Sequence, residues 1–413
     1  VPPLLFDFLG VPNPERPAPR MDPEARQRQL FDILRRLVRA GQGDTVTLIE
    51  DLHWMDRASE AFLGHWVEAI GGSRGLLLVN FRPEYHAPWM QKSYYRQLPL
   101  APLGPEAIRE LLDHLLGRDP SIAGLAAAIH ARTAGNPFFT EEVVQSLIES
   151  GHLQGAAGAY RLVTPVETLR VPPTVQVLLA ARIDRLSERE KRVLQTAAVI
   201  GKDFAEPLLA GVIDLPPEQL AGALADLRAA ELVHERALYP VAEYSFKHPL
   251  TQEVALGSQL HERRRSTHAR VAQAVEDAHL DDLDEQAALI AHHWGEAGRA
   301  VEAAGWHQRA AEWVTQRDPY QAAQQWRSVH RLLRDHADDP RSLDLRLQAC
   351  MHLTMAAWRV GMAPEEVAEL FEEGKRLAER ADDSRMLALI TTAYAAWLTA
   401  TGESRAGYER HRE

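Results

Sequence analysis

Hydrophobic positions recur along the first hundred residues in two rhythms. Leu30, Ile33, Leu34, Leu37 and Val38 fall at helical spacing and predict an amphipathic helix over about 24–40, with Asp22 as its cap and Pro23 in its first turn. Thr45–Ile49 is instead β-branched and aliphatic on both faces, and 76–81 is similar. Both read as strands buried inside a parallel sheet. Between them Phe62, Trp66 and Ile70 mark a helix that Asp56 or Ser59 can cap and Gly71-Gly72 ends. Strand, helix and strand with short links make a parallel crossover unit, so the residues following the two strands share one edge of the sheet. Ahead of this unit, the prolines of 1–20 predict loop or short turns.

The remainder is mostly helical in rhythm. Ile108, Leu111, Leu112 and Leu115 form one stripe, and Leu125, Ala128 and Ile129 a second. A third helix, over 143–149, follows the turn Gly135-Asn136-Pro137, with Thr140 as its expected cap. Val171-Pro172-Pro173 opens three further helices, followed by short alternating strands over 232–246 around Pro240. Three helices and a hairpin are the pattern of a winged helix. Everything beyond about Leu256 is helical. From about Arg299 the chain falls into pairs divided near Asp318-Pro319, Met362-Ala363-Pro364 and Gly402-Glu403-Ser404, with a period of roughly 42 residues. That period predicts a tetratricopeptide-like α-solenoid, with Trp294, Trp306, Trp313, Trp326, Trp358 and Trp397 in its core and a further helix starting over 405–413.

Composition narrows the function. A net charge of −12 over 413 residues argues against a nucleic-acid-binding surface. The helix that would read DNA, 218–231, carries Glu218, Asp226 and Glu231 against Arg228, so no direct nucleic-acid contact is expected. No apolar run approaches the roughly 18–20 residues needed to span a bilayer, and the first residues do not form a secretory signal. The single cysteine, Cys350, excludes an internal disulfide and fits a reducing, cytoplasmic setting. A chain that begins at Val1 without methionine reads as part of a longer one.

Candidate chemistry collects after the first strand, where Glu50 and Asp51 stand side by side. Ligands of open α/β sheets gather beyond the carboxyl ends of the strands, and paired acids there suit Mg²⁺ on a nucleotide and an attacking water. The bare residues read equally well as a strand leaving into a solvated acidic turn. Arg82, after the second strand, suits a γ-phosphate or an ion pair with Glu84. The chain has no phosphate-binding Gly-x-x-x-x-Gly-Lys-Ser/Thr loop. Ile200-Gly201-Lys202-Asp203 lacks the first glycine and the hydroxyl. His261-Glu262 is no zinc motif, because Arg265 stands where the second histidine belongs.

The continuation Leu52-His53-Trp54-Met55-Asp56 resembles the Walker B segment of the signal-transduction ATPases with numerous domains, a class of P-loop ATPases. More closely, it resembles the ATPase regions beside class III adenylate/guanylate cyclases and in large LuxR-type regulators. The resemblance implies a mainly α, multidomain chain: the C-terminal part of a partial α/β parallel-sheet P-loop NTPase core (1–103), a helical lid (104–165), a winged helix (166–260) and repeats (261–413). It places Glu50 on Mg²⁺, Asp51 on the attacking water and Arg82 at the sensor-1 position, with Asn80 where threonine is more usual. Gly135 and Pro137 match the Gly-x-Pro lid motif that packs on the nucleotide. His248 matches the winged-helix histidine that reaches the β-phosphate of ADP, although Lys247 and Pro249 depart from its usual neighbours. Taken from bare residues, the first is a helix–turn–helix junction and the second a structural histidine. The implied function is an ATP/ADP- and Mg²⁺-dependent switch linked to a nucleotide cyclase, with a protein partner on the repeats and a nucleotide-dependent oligomer as expectations. With the P-loop expected upstream of Val1, the chain is not expected to turn over ATP alone. A LuxR-type regulator and a non-catalytic repeat scaffold are the alternatives.

Overall fold

The computed structural model describes residues 3–8, 16–17, 19, 21–40, 43–169, 171–336 and 339–401. The turn at 402–404, the helix expected over 405–413 and much of the proline-rich start lie outside them. The chain divides into two compact units, Val1–Leu100 with Thr315–Pro319, and Ala101–Val314 with Tyr320–Glu413.

The first unit opens with α1 (Pro3–Phe8), a helix where the prolines predicted only loop or turns. Pro3 sits in its first turn, the one helical place that needs no N–H from proline. Next come α2 (Pro23–Ala40), β1 (Thr45–Ile49), α3 (Arg57–Ile70) and β2 (Gly75–Val79). Asp22 caps α2 through the Ala25 amide at 2.8 Å, and Asp56 caps α3 through the Ser59 amide at 3.0 Å. β1 and β2 pair in parallel, in register from Thr45↔Gly75 to Ile49↔Val79, as a crossover unit requires. The strands are buried on one face only, which corrects the two-faced burial read from their composition. Ile49, Leu77 and Val79 pack against Leu52, Leu63, Val67 and Trp89. The two-residue side-chain period turns Val46, Leu48, Leu76 and Leu78 to the other face, where Val46 remains 67% and Leu48 60% exposed.

The second unit begins with α4 (Pro105–Leu116), α5 (Leu125–Thr133) and α6 (Pro137–Glu149), joined by a small hairpin of β3 (Leu153–Gln154) and β4 (Arg161–Leu162). Ile108, Leu112, Ile129, Val143 and Leu147 form their shared core. Then follow α7 (Val175–Asp184), α8 (Glu188–Ile200), β5 (Asp203–Ala205), α9 (Glu206–Val212), α10 (Pro217–Ala229), β6 (Val233–Ala237), β7 (Glu243–Phe246) and α11 (Pro249–Gly257). The strands form an antiparallel sheet in the order β5-β7-β6 over a core of Leu194, Leu209, Leu224, Leu227 and Phe246. β5 and α9 escaped the hydrophobic pattern because a three-residue strand and a two-turn helix are shorter than the windows in which periodicity shows.

The rest is helical: α12 (His261–Ala278), α13 (Leu283–Glu296), α14 (Ala300–Val314), α15 (Pro319–Leu333), α16 (Pro340–Val360), α17 (Pro364–Arg380) and α18 (Ser384–Ala400). Trp326 and Trp397 are core residues alongside Leu353 and Phe371. Trp358 is not. It is 55% exposed, and the Arg359 guanidinium lies over its ring at 5.1 Å. Trp294 and Trp306 are half-buried, and Trp294 Nε1 donates to Glu276 at 2.6 Å. The chain is thus mainly helical and multidomain, with small sheets. Among the described residues no helix is long and apolar enough to cross a membrane.

Candidate functional site

At the carboxyl ends of β1 and β2 the chain folds into a cross-braced rim. Asn80 N–H donates to Ile49 O at 3.2 Å and Asn80 O accepts from Leu52 N–H at 3.0 Å, so the backbone of one strand end holds the other. The Asn80 side chain does the same for the acids. Its Oδ1 accepts from the Asp51 amide at 2.7 Å and its Nδ2 donates to Glu50 Oε1 at 3.3 Å. Asn80, a departure from the resembled pattern, is therefore the residue that holds Glu50 by its carboxylate and Asp51 by its backbone amide. A threonine could not supply a donor and an acceptor from two separate atoms in this way. Asp51 sits at φ 57°, ψ 44°, in the left-handed region, which aspartate tolerates better than most residues. This kink turns the chain sharply into a short 3₁₀ turn, Leu52–Trp54, anchored by fully buried Leu52.

Arg82 lies on the same edge with its guanidinium 6.0 Å from the centre of the exposed Trp54 ring. No Arg82–Glu84 ion pair forms among the described residues. Beneath the rim, both ring nitrogens of His53, Trp89 Nε1 and the Tyr95 hydroxyl are buried without a hydrogen-bond partner. The rim thus presents two accessible carboxylates, an amide and a guanidinium. Adjacent hard oxygen donors fit Mg²⁺ as a chemical set.

Gly135, Pro137 and His248 belong to the second unit, where they form a separate cluster. α5 ends at Thr133, and Ala134 and Gly135 turn the chain through positive φ values of 49° and 78°. Gly135 O accepts from Leu103 N–H at 2.8 Å, and a Cβ at position 135 would stand 2.2 Å from Leu103 O. Glycine is obligatory here on two counts, conformation and space. Gly135→Ala is expected to destabilise the second unit by roughly 2–3 kcal/mol, read from urea unfolding, where an ordinary exposed turn glycine would cost a fraction of that.

The cap of α6 is Asn136, not the expected Thr140. Asn136 Oδ1 accepts from Phe139 N–H at 2.9 Å, while Thr140 is buried inside the helix and donates to Asn136 O at 2.9 Å. Starting α6 at Pro137 puts Phe138 in its first turn, where the ring stacks on His248 at 3.9 Å with 12° between planes. His248 caps α11: its Nδ1 accepts from Leu250 N–H at 3.1 Å, so in the neutral imidazole the proton resides on Nε2. Lys247 bonds Glu231 and lies 4.0 Å from Glu141 on α6. The fold therefore brings the Gly-Asn-Pro-Phe turn and the histidine together through Phe138. Sequence reading singled out both ends of this contact and passed over the aromatic ring between them.

Behind α6 lies a buried ion cluster that the sequence did not announce. Arg182 of α7, 1% exposed at its side chain, bonds Glu142, binds Glu149 through Nε and Nη2, and donates to Ala230 O at 2.7 Å. One guanidinium thus ties α6, α7 and the end of α10 together. Burial pushes the Glu142 carboxyl above its ordinary range, and the charge of Arg182 pulls it back only in part.

No family model matches the chain. An uncharacterized protein of Rhizobium meliloti is 24% identical over an alignment of 405 residues that covers 96% of this chain and 38% of the relative. Among solved structures, a signal transduction ATPase with numerous domains bearing a tetratricopeptide repeat sensor, from Pyrococcus horikoshii, is similar at a TM-score of 0.37 and 10% identity. The match covers 94% of this chain and 69% of that one.

Proposed function

We propose that this chain is part of a nucleotide-operated regulatory switch: the Walker B and sensor-1 portion of an ATPase core, a helical lid, a winged helix and tetratricopeptide-like repeats. The observation that carries the reading is the rim, where Asn80 seats Glu50 and Asp51 beside each other on the edge that also bears Arg82. In this reading Glu50 and Asp51 hold Mg²⁺, which when bound neutralises phosphate charge. Asp51 orients the attacking water, and Arg82 reads the γ-phosphate. Gly135 and Pro137 serve as nucleotide packing. His248, with Nε2 as its hydrogen-bond donor, meets the diphosphate of ADP. The Phe138–His248 stack then links lid and winged helix, so that a nucleotide touching one biases the other.

The output in this reading is a nucleotide cyclase, and the repeats receive a protein partner. In the full-length protein, Mg²⁺-dependent ATP turnover is expected to fall at least ten-fold in Glu50→Gln/Asp51→Asn, with the nucleotide still bound. Equal and negligible turnover in parent and variant would end the switch reading.

A further inference from the structure

Three helices of the repeat region bring one ligand each to a single point. His330 of α15, Cys350 of α16 and Glu373 of α17 present a ring nitrogen, a sulfur and a carboxylate oxygen that all lie within 4.8 Å of one another. We infer that His330, Cys350 and Glu373 form a zinc site that clamps α15, α16 and α17 together.

The donor set suits a borderline-soft ion. Thiolate, imidazole and carboxylate are the side chains that bind Zn²⁺, and three protein ligands leave the fourth tetrahedral position for water or another group. Bond lengths of about 2.0–2.3 Å place tetrahedral ligand atoms roughly 3.3–3.7 Å apart. The His330 Nε2···Glu373 Oε2 separation of 2.9 Å therefore needs to open by less than an ångström. The remaining carboxylate oxygen is already held, since Arg346 Nη2 donates to Glu373 Oε1 at 2.8 Å and leaves Oε2 for the ion. Such an outer contact fixes a ligating carboxylate in place. Access differs among the ligands: Cys350 is fully buried, while the His330 and Glu373 side chains keep 13% and 20% exposure, which gives an ion a way in.

Packing around the cysteine favours this convergence. Glu373 precedes Gly374, where an added Cβ would stand 3.0 Å from Cys350 Cβ and 2.1 Å from Ile390 Cδ1. The glycine thus allows α17 to press against α16 at the level of the sulfur. Metal-free, the thiol is pushed up by burial and the Glu373 carboxyl is held down at about 2, chiefly by its bond with His330.

Arg346 adds a positive charge beside the site, which the anionic ligands must offset. Zn²⁺ enters as the thiol gives up its proton, so the Cys350 thiolate and the Glu373 carboxylate supply two negative ligands against the charge of the ion. Binding should accordingly release protons to the buffer.

The test uses the chelator-stripped chain with Zn²⁺ and then Co²⁺. One equivalent of Zn²⁺ per chain with proton release is expected, and Co²⁺ should show a thiolate charge-transfer band in the near ultraviolet that Cys350→Ser abolishes. His330→Gln should keep the band while weakening affinity at least ten-fold. Should Cys350→Ser fail to fold by circular dichroism, His330→Gln decides, and unchanged affinity there overturns the site. Absence of binding, or a cobalt spectrum without the thiolate band, overturns it as well and leaves an ordinary ion pair beside a core cysteine.

Discussion

Arg182→Met is expected to destabilise the second unit by about 3–5 kcal/mol at neutral pH, because it strands a buried carboxylate. The Glu142 side chain is 4% exposed, and Arg182 is its bonded countercharge. Methionine fills much of the same volume, so the loss reports charge rather than a cavity. The pH dependence separates the two. Glu142 is already pushed above its ordinary range by burial, and losing Arg182 raises it further. A carboxyl whose folded pKa lies above its unfolded one binds its proton more tightly when folded. The deficit is then greatest above the raised pKa and shrinks as pH falls toward the unfolded carboxylate range. Urea unfolding of Arg182→Met at pH 8 and pH 5 should show this convergence, and adding Glu142→Gln should recover most of the stability at pH 8. A pH-independent loss with no recovery would show that the packing of α6, α7 and α10, and not the stranded charge, is what Arg182 supplies.

Acid should act on a second buried pair, in α12 and α13. His268 and His293, 5% and 2% exposed, meet through their Nδ1 atoms at 2.9 Å, so one ring donates and the other accepts while both are neutral. Burial is the main reason that His268 falls to about 4, with Glu296 opposing and His292 and Arg264 adding to the fall. Burial likewise takes His293 to about 3, helped by His268 and His292. The unfolded chain takes up protons near pH 6.5, while the folded pair refuses them. Stability is therefore fully present above pH 6.5 and lost as pH falls through about 4 and then about 3. At 1.36 kcal/mol per pKa unit, the falls of His268 from 6.5 to about 4 and of His293 from 6.5 to about 3 make the loss on the order of 8 kcal/mol for the pair. Thermal melts of the parent chain should drop steeply over this window, and His268→Phe/His293→Leu should flatten the slope. Parallel slopes would assign the acid sensitivity to other groups.

Much of the local structure was legible because it is encoded within a few residues. Asp22 and Asp56 cap the helices that follow them, and the turns read at Pro319 and Pro364 are where helices open, a place where a missing N–H does no harm. The two apolar runs pair in parallel because only a crossover connection fits between them. Local reading failed where two neighbours compete for one task. Asn136 took the cap from Thr140, since a helix beginning at Pro137 leaves Thr140 inside its first turns.

The sequence by itself determined the mainly helical character, the order of the longer helices and strands and the acidic pair at a strand end, all of which follow from spacing over short windows. Tertiary structure alone decided which face of β1 and β2 is covered, that Asn80 holds Glu50 and Asp51, and that Phe138 meets His248. The same holds for Arg182 with Glu142, His268 with His293, and His330 with Cys350 and Glu373. Each of these is a polar or aromatic contact between separate elements. Its energy depends on burial and direction, and neither is fixed until the hydrophobic faces have packed.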